Sequence, residues 1–406
     1  MGSGAAMQLL AKRVDLIKPS PSVMAMSRAK ELIAAGQDIC NMAAGEPDFA
    51  TPRPIIDAAY QALLAGETKY TAVDGTRALK EAICDKFQRE NGLAYTPDRI
   101  SVGAGAKQVI FNAFACSVEE GDEVIIPAPY WVSYPDIVQF NGGKPVFVVA
   151  PASQGFKMTA QQLESVVTPR SKWLVLNSPN NPSGATFSRA ELLQIGEVVA
   201  RHPQLYVLTD EIYEHLIYDN APYASFAEVN PGLADRTLTI NGVSKSFSMT
   251  GWRLGYGAGP RLLIKAMEKL QSQTSGNPAS VSQAAALAAL KGSMEFFDEW
   301  RNEFRRRRDY IVEQLDGREG LSCPKPAGAF YVYPSCARHI GKTTPAGKRI
   351  ETDTDFVLYL LDKYKVATVQ GAAYGLSPSF RISFATSMNA IEEACRRVLA
   401  ACAALN

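Results

Sequence analysis

Histidine is scarce in this chain: three residues in 406. The seven cysteines (Cys40, Cys84, Cys116, Cys323, Cys336, Cys395 and Cys402) are scattered, and none forms a Cys-x-x-Cys pair. Little is left from which to build a Cys/His metal centre, so no metal is expected. An odd, dispersed set of thiols points to reduced cysteines in a cytoplasmic protein. Charge of one sign is also missing. The formal net charge is +1, so bulk electrostatics favour neither nucleic acid nor a membrane surface as partner. No run of about 18 apolar residues occurs, and no membrane span is expected. The N-terminus lacks the long apolar core of a secretory signal; Met1 to Ala6 reads as an added leader, with Met7 as the native start. The spacing of a Walker phosphate loop is absent, as is a full dinucleotide fingerprint. No internal repeat or low-complexity block is visible.

What is present is an ordinary globular composition, 47% hydrophobic and 20% charged, in a chain long enough for about two to three domains. The middle alternates compact apolar runs with helical stretches. Strands are expected at 123–126, 172–177, 205–210 and 237–241, with a helix at 188–201 between two of them. Uninterrupted apolar strands in strand–helix–strand order predict an α/β domain with a mostly parallel sheet covered on both faces. The ends read differently. A helix is expected at 22–36, a long helix near 292–316, strands at 328–333, 366–370 and 380–384, a surface loop at 338–354, and a closing helix at 389–404. Residues 1–21 therefore read as leader and arm, residues 55–310 as a large domain, and residues 22–54 with 311–406 as a smaller α+β domain built from both chain ends. Arg305 to Arg308, flanked by Glu303 and Asp309, read as a solvated helix face.

The chemistry concentrates around Ser244-Lys245 and Arg253. A lysine can form a Schiff base with a carbonyl compound, and an arginine fork fits phosphate. Asp210 ends a strand, where ligands gather in α/β sheets; a carboxylate there suits a protonated ring nitrogen, with Tyr213 three residues on. The alternative is an aspartate that caps a helix. Asn181, in the turn Asn177 to Gly184, offers an amide donor at another strand end, or plain turn chemistry. Gly103 to Lys107 precedes a helix and lets backbone amides approach an anion. Trp131 is placed to stack on a flat ring or to pack in the core. Arg381 lies inside an apolar strand; burying it demands either a bound carboxylate or a structural salt bridge.

These segments, in this order, resemble the class I aminotransferases, which are fold-type I pyridoxal phosphate (PLP) enzymes. The resemblance rests on Ser244-Lys245-Ser246-Phe247-Ser248-Met249-Thr250-Gly251-Trp252-Arg253, supported by Gly45-Glu46-Pro47-Asp48-Phe49, Lys69-Tyr70, Pro129 to Tyr134, Asn177 to Gly184, Asp210 to Tyr213 and Arg381-Ile382-Ser383. It covers about residues 8 to 405 and is nearest to bacterial aspartate aminotransferases of the thermophile and rhizobial type. It implies that Lys245 carries the cofactor and shuttles the proton, and that Asp210 pairs with the ring nitrogen. Tyr213 and Asn181 would donate to the ring oxygen, and Trp131 would stack on the ring. Gly105, Ala106, Ser244 and Arg253 would hold the phosphate, with Tyr70 from a second copy of the chain in a homodimer. Arg381 and Gly45 would bind the substrate α-carboxylate, and Lys107 the distal carboxylate of aspartate or glutamate. Ser22 stands where a threonine often accompanies prephenate use. The expected reaction is ping-pong transamination between aspartate and 2-oxoglutarate. The alternatives are aromatic, kynurenine or prephenate transamination, C–S β-elimination, or a PLP-binding regulator without catalysis.

Overall fold

The computed structural model describes residues 9–406; the expected leader and the start at Met7 lie outside them. Seven strands form the main sheet: β1 (Ile100–Gly103), β2 (Glu123–Ala128), β3 (Lys144–Val149), β4 (Ser171–Asn177), β5 (Tyr206–Asp210), β6 (Thr237–Gly242) and β7 (Gly255–Ala258). Their spatial order is β1-β7-β6-β5-β4-β2-β3, and only β7 runs antiparallel to its neighbours. The carboxyl ends of the parallel strands and the start of β7 therefore meet at one edge.

Alternation explains why the strands read as uninterrupted apolar runs. Trp173 and Val175 of β4 face one side, where helices Ala106–Ser117, Ser133–Phe140 and Arg261–Ser272 supply Val109, Phe114, Tyr134 and Met267. Leu174 and Leu176 face the other, against Leu192, Ile195 and Val199 of helix Arg189–Arg201. Both faces are buried, so both sets of residues are apolar. That helix begins where the sequence predicts, with Ser188 and Glu191 forming a capping box.

The two chain ends share a second apolar cluster. It joins Cys40 and Met42 to helix Glu295–Leu315, strands Tyr331–Val332 and Phe380–Ser383, and helices Asp353–Tyr364 and Met388–Ala403. Ile212, Tyr213 and Leu216 belong to it as well, so it packs directly against the edge where β5 ends.

Several expectations need correction. The stretch at 328–333 is a strand only over Tyr331–Val332. The stretch at 366–370 divides into Val366–Ala367, which pairs with Cys40–Asn41, and Val369–Gln370, which pairs with Phe380–Ser383. β1, β3 and β7 were not anticipated. The Gly-Tyr-Gly-Ala of β7 carries no strand signature in its composition, yet it is an interior strand, paired on one side with β1 and on the other with β6. Arg305 and Arg306 are exposed, but Arg307 and Arg308 are buried. They share a helix face with Phe304 and Ile311 at three- and four-residue spacing, and each has found a carboxylate. Arg307 Nη1 lies 2.7 Å from Asp48 Oδ1, and Arg308 Nη2 lies 2.9 Å from Asp219 Oδ2.

His339 is buried, its ring stacked on Phe356 at 5.4 Å and 9°. Among the described residues neither ring nitrogen has a partner in hydrogen-bond geometry. Burial holds its pKa below the ordinary 6.5, so below that pH the unfolded chain gains a proton that the folded chain refuses, and stability falls. Thermal unfolding followed from neutral pH downward through 6.5 is expected to show a shallower loss of Tm in His339→Phe than in the parent; parallel curves would contradict this.

Candidate active site

The strand edge opens into a cavity of about 330 Å³ lined by residues from both chain ends and from the main sheet. Lys245 sits three residues beyond β6, in a turn, and donates from Nζ to the carbonyl of Gly45. Burial lowers its pKa to about 8, opposed by Glu46 and reinforced by Arg381 and Arg253. Its amine is thus far easier to deprotonate than an exposed lysine's.

Asp210 ends β5 and is buried. No helix follows it: residues 211–215 form turns, so the helix-cap alternative fails. Its carboxylate accepts from Tyr134 Oη at 2.7 Å and from the Ile212 amide at 3.3 Å. Burial raises its pKa to about 6. Among the described residues no ion pair relieves it, and a buried carboxylate in that state is stabilised by a cationic N–H placed in the cavity. The neighbouring strand end is tied to it. Asn177 Nδ2 donates to the Asp210 carbonyl at 2.9 Å, while Asn177 Oδ1 accepts from the Asn181 amide at 2.8 Å.

Arg381 is buried in strand Phe380–Ser383. Nη1 donates to Asn181 Oδ1 at 3.0 Å and Nη2 to the Ala43 carbonyl at 2.8 Å. Its guanidinium lies 4.4 Å from the Tyr331 ring centre and 5.3 Å from that of Tyr374. Nε is buried with no partner, and among the described residues no carboxylate pairs with the group, which leaves the salt-bridge alternative without a partner. Tyr213 Oη lies 2.9 Å from Tyr331 Oη, and burial pushes the Tyr213 hydroxyl well above its usual pKa.

At the other end of the cavity, Arg253 takes the left-handed conformation, φ 54°. It donates to the carbonyls of Thr250 at 2.8 Å and Ala104 at 3.4 Å. Glycines make the close approach possible. A Cβ on Gly105, whose φ is 89°, would sit 2.5 Å from Arg253 Nη2, and one on Gly255 would strike the Ala106 amide nitrogen and lie 2.7 Å from its Cα. Ala106 and Lys107 open helix Ala106–Ser117 and line the cavity, so the helix start and Arg253 converge as in an anion site. Lys107 is exposed; its ammonium stands 4.9 Å from the Trp131 ring centre. Partial burial, then Arg253, lowers its pKa.

The donor set fits PLP: an anion cradle, a buried carboxylate without a cation, hydroxyl and amide donors, a deprotonatable lysine and a flat aromatic wall. The structure gathers Lys245, Asp210, Tyr213, Asn181, Arg381, Trp131, Gly45, Ala106, Lys107, Ser244, Arg253 and Ser22 around one cavity, with Gly105 directly behind Arg253. Tyr70 is apart from them, 98% exposed and lining a different surface groove. Tyr134, Tyr331, Tyr374 and Asn177 were not singled out from the sequence. Tyr134, three residues after Trp131, and Asn177, the first residue of the turn that holds Asn181, lie in segments that carried a local signal; Tyr374 does not.

A family model described as "Aminotransferase class I and II" matches residues 37–398. The chain is 52% identical over 400 residues to the aspartate/prephenate aminotransferase of Cereibacter sphaeroides, covering 98% of this chain and 100% of that protein. It is similar to the crystal structure of the aspartate aminotransferase from Rhizobium meliloti, with a TM-score of 0.94, 52% identity, and coverage of 98% of this chain and 99% of that one. It is also similar to the aspartate aminotransferase from Thermus thermophilus with maleate, with a TM-score of 0.91, 39% identity, and coverage of 97% and 100%.

The tight contact at Gly255 is testable. Gly255→Ala is expected to cost about 1–3 kcal/mol of stability through overpacking and to weaken cofactor retention on dialysis. A variant as stable and as cofactor-loaded as the parent would show that the cradle does not need this approach.

Proposed function

The chain belongs to the class I and II aminotransferases and is a PLP-dependent transaminase; on that premise we propose that it moves the amino group between aspartate and 2-oxoglutarate by a ping-pong cycle. The observation that carries the choice of substrate is a pair of cations on one cavity, Arg381 and Lys107, that have no acidic partner among the described residues. Arg381 is buried and Lys107 stands exposed at the mouth. A dicarboxylate would satisfy both, its α-carboxylate on the Arg381 fork and its distal carboxylate on Lys107. The relatives' printed names, and maleate with the Thermus thermophilus protein, support this reading.

PLP, when bound, supplies an electron sink for the pair left on the substrate α-carbon. The chain's residues do the rest. Arg253, Ser244, Gly105 and Ala106 hold the phosphate at the helix start. Asp210 keeps the ring nitrogen protonated; its own hydrogen bond from Tyr134 leaves it oriented toward the cavity floor. Tyr213 and Asn181 donate to the ring oxygen, and Trp131 covers one face. Lys245 would carry the cofactor and, once its amine is free, would accept the substrate α-proton on Nζ and later give it up. A desolvated amine with a pKa near 8 is suited to both directions of that transfer. Arg381 and the Gly45 backbone fix the α-carboxylate, so the α-hydrogen is presented to Lys245.

Three coarser features complete the reading. Residues 22–54 with 311–406 form the smaller domain and 55–310 the larger. The chain acts as a homodimer: Tyr70 lies exposed next to helix Arg53–Leu64, whose Tyr60, Leu63 and Leu64 are also exposed, and a second copy would bring its own Tyr70 to the phosphate. No described helix is long and apolar enough to cross a membrane; the free cysteines support a cytoplasmic enzyme. Prephenate as acceptor is a second reading, favoured by the Cereibacter sphaeroides relative's name. Ser22, in the cavity wall with Oγ 3.1 Å from Tyr374 Oη, is the position to vary for it.

Lys245→Ala should keep its cofactor by absorbance yet lose steady-state transamination by about 10²–10⁴-fold; full turnover in that variant would sink the assignment. Lys107→Met should lower kcat/KM for aspartate by about 10–100-fold while that for phenylalanine changes less than about threefold. Equal losses for both substrates would remove Lys107 from substrate selection.

A further inference from the structure

Beyond the ends of β5 and β6 the backbone ladder stops, pairing Asp210 with Ile240 as its last register. The two turns that follow carry Asp210 with Tyr213, and Lys245. Side chains must fix one turn against the other.

Glu214 and His215 directly follow Tyr213, yet neither lines the cavity. Both enter a polar cluster on its far side. Buried Glu214 is paired with the ammonium of Lys86, also buried. Asn91 Nδ2 donates to Glu214 Oε2 at 2.8 Å and Asn241 Nδ2 to Oε1 at 2.6 Å, while Lys86 Nζ donates to Asn91 Oδ1 at 2.8 Å. His215 Nδ1 is 2.8 Å from Ser246 Oγ, and Nε2 is 3.0 Å from Glu90 Oε2. Glu90, Glu214 and His215 bring one ligand atom each within 4.8 Å, a spacing a metal ion could use. The Lys86 ammonium already lies against both carboxylates, 3.5 Å from Glu90 Oε2, and supplies the positive charge an ion would bring.

The contacts have a direction. Asn241 lies four residues before Lys245, and Ser246 one residue after it. The cluster therefore grips the Lys245 segment on both sides, from the same turn that carries Asp210 and Tyr213. Satisfied buried networks of this kind fix geometry more than they add stability. We propose that Glu214 and His215 are positioning residues that hold Lys245 in register with Asp210; the inference rests on the reading of Lys245 as the lysine that carries the cofactor. The bond from His215 to Ser246 is the link closest to the amine.

Two substitutions of one residue separate this role from packing. His215→Asn places an amide where Nδ1 was and can keep Ser246; His215→Gln reaches Glu90 and gives up Ser246. In the holoenzyme, H215Q is expected to lower kcat about tenfold with KM for both substrates within about twofold. It should also move the pH midpoint of the cofactor's visible absorbance by about half a unit or more. H215N should stay close to the parent in both. Ser246→Ala cuts the same bond from the other side and should match H215Q. Equal behaviour of H215N and H215Q, a parent-like Ser246→Ala, or a change confined to Tm would overturn the proposal. Each variant is judged with Lys245 in place, so failure here is distinct from turnover in Lys245→Ala, which would remove the reading of the lysine itself.

Discussion

The site is arranged around a carboxylate that has no cation of its own. Asp210 is buried at the end of β5 with, among the described residues, only a phenol and one amide as hydrogen-bond donors, and burial raises its pKa to about 6. Burying such a group without a counter-ion costs several kcal/mol. The fold accepts that cost at the one edge where all the parallel strands terminate. Neighbouring strand ends are spent on holding the carboxylate's surroundings still: Asn177 binds its carbonyl, and Tyr134 binds its side chain. On the proposed assignment, a ring nitrogen that arrives with a proton completes the pair.

The parts of this arrangement that were legible in the sequence are those carried by a single segment. Lys245 and Arg253 are eight residues apart in one stretch, and Asp210 with Tyr213 follows one apolar strand, so local pattern and strand-end logic suffice. The parts that were not legible are contacts between distant segments. Tyr331 reaches Tyr213 from 118 residues away and Tyr134 reaches Asp210 from 76; nothing in either local sequence announces the partner. Composition misled in two places for physical reasons. β7 needs a small residue where Gly255 passes against the Ala106 amide, so an interior strand lacks the apolar run that marks the others. Arg307 and Arg308 look solvated because, besides the neighbouring Glu303 and Asp309, they reach Asp48 and Asp219 from elsewhere in the chain.

Arg307 shows how the two ends of the chain are made to serve one site. It leaves helix Glu295–Leu315 to reach Asp48 at 2.7 Å and the Phe384 carbonyl at 3.4 Å. Asp48 lies three residues after Gly45, and Phe384 three residues after Arg381. Phe49 adds a parallel stack on Trp300 of the same helix, 4.6 Å between ring centres. One helix thus sets the spacing between the loop and the strand assigned to the substrate α-carboxylate, and the burial of its arginine is a consequence of that position.

The electrostatics of Lys245 follow from the same inventory. Its amine is depressed first by burial, then by Arg381 and Arg253, against the opposing charges of Glu46 and Asp210. On the proposed assignment, those two arginines do not stay bare. The phosphate neutralises Arg253 while the cofactor is held, and the substrate carboxylate neutralises Arg381 only when a substrate is bound. Each neutralisation removes a positive charge that had favoured the uncharged amine. Lys245 is therefore least basic in the empty site, where a neutral amine is needed to capture a carbonyl, and more basic once a substrate occupies Arg381, where it must take a proton from carbon. On the proposed assignment, the arginine that binds the substrate α-carboxylate also times the basicity of the group that acts on that substrate.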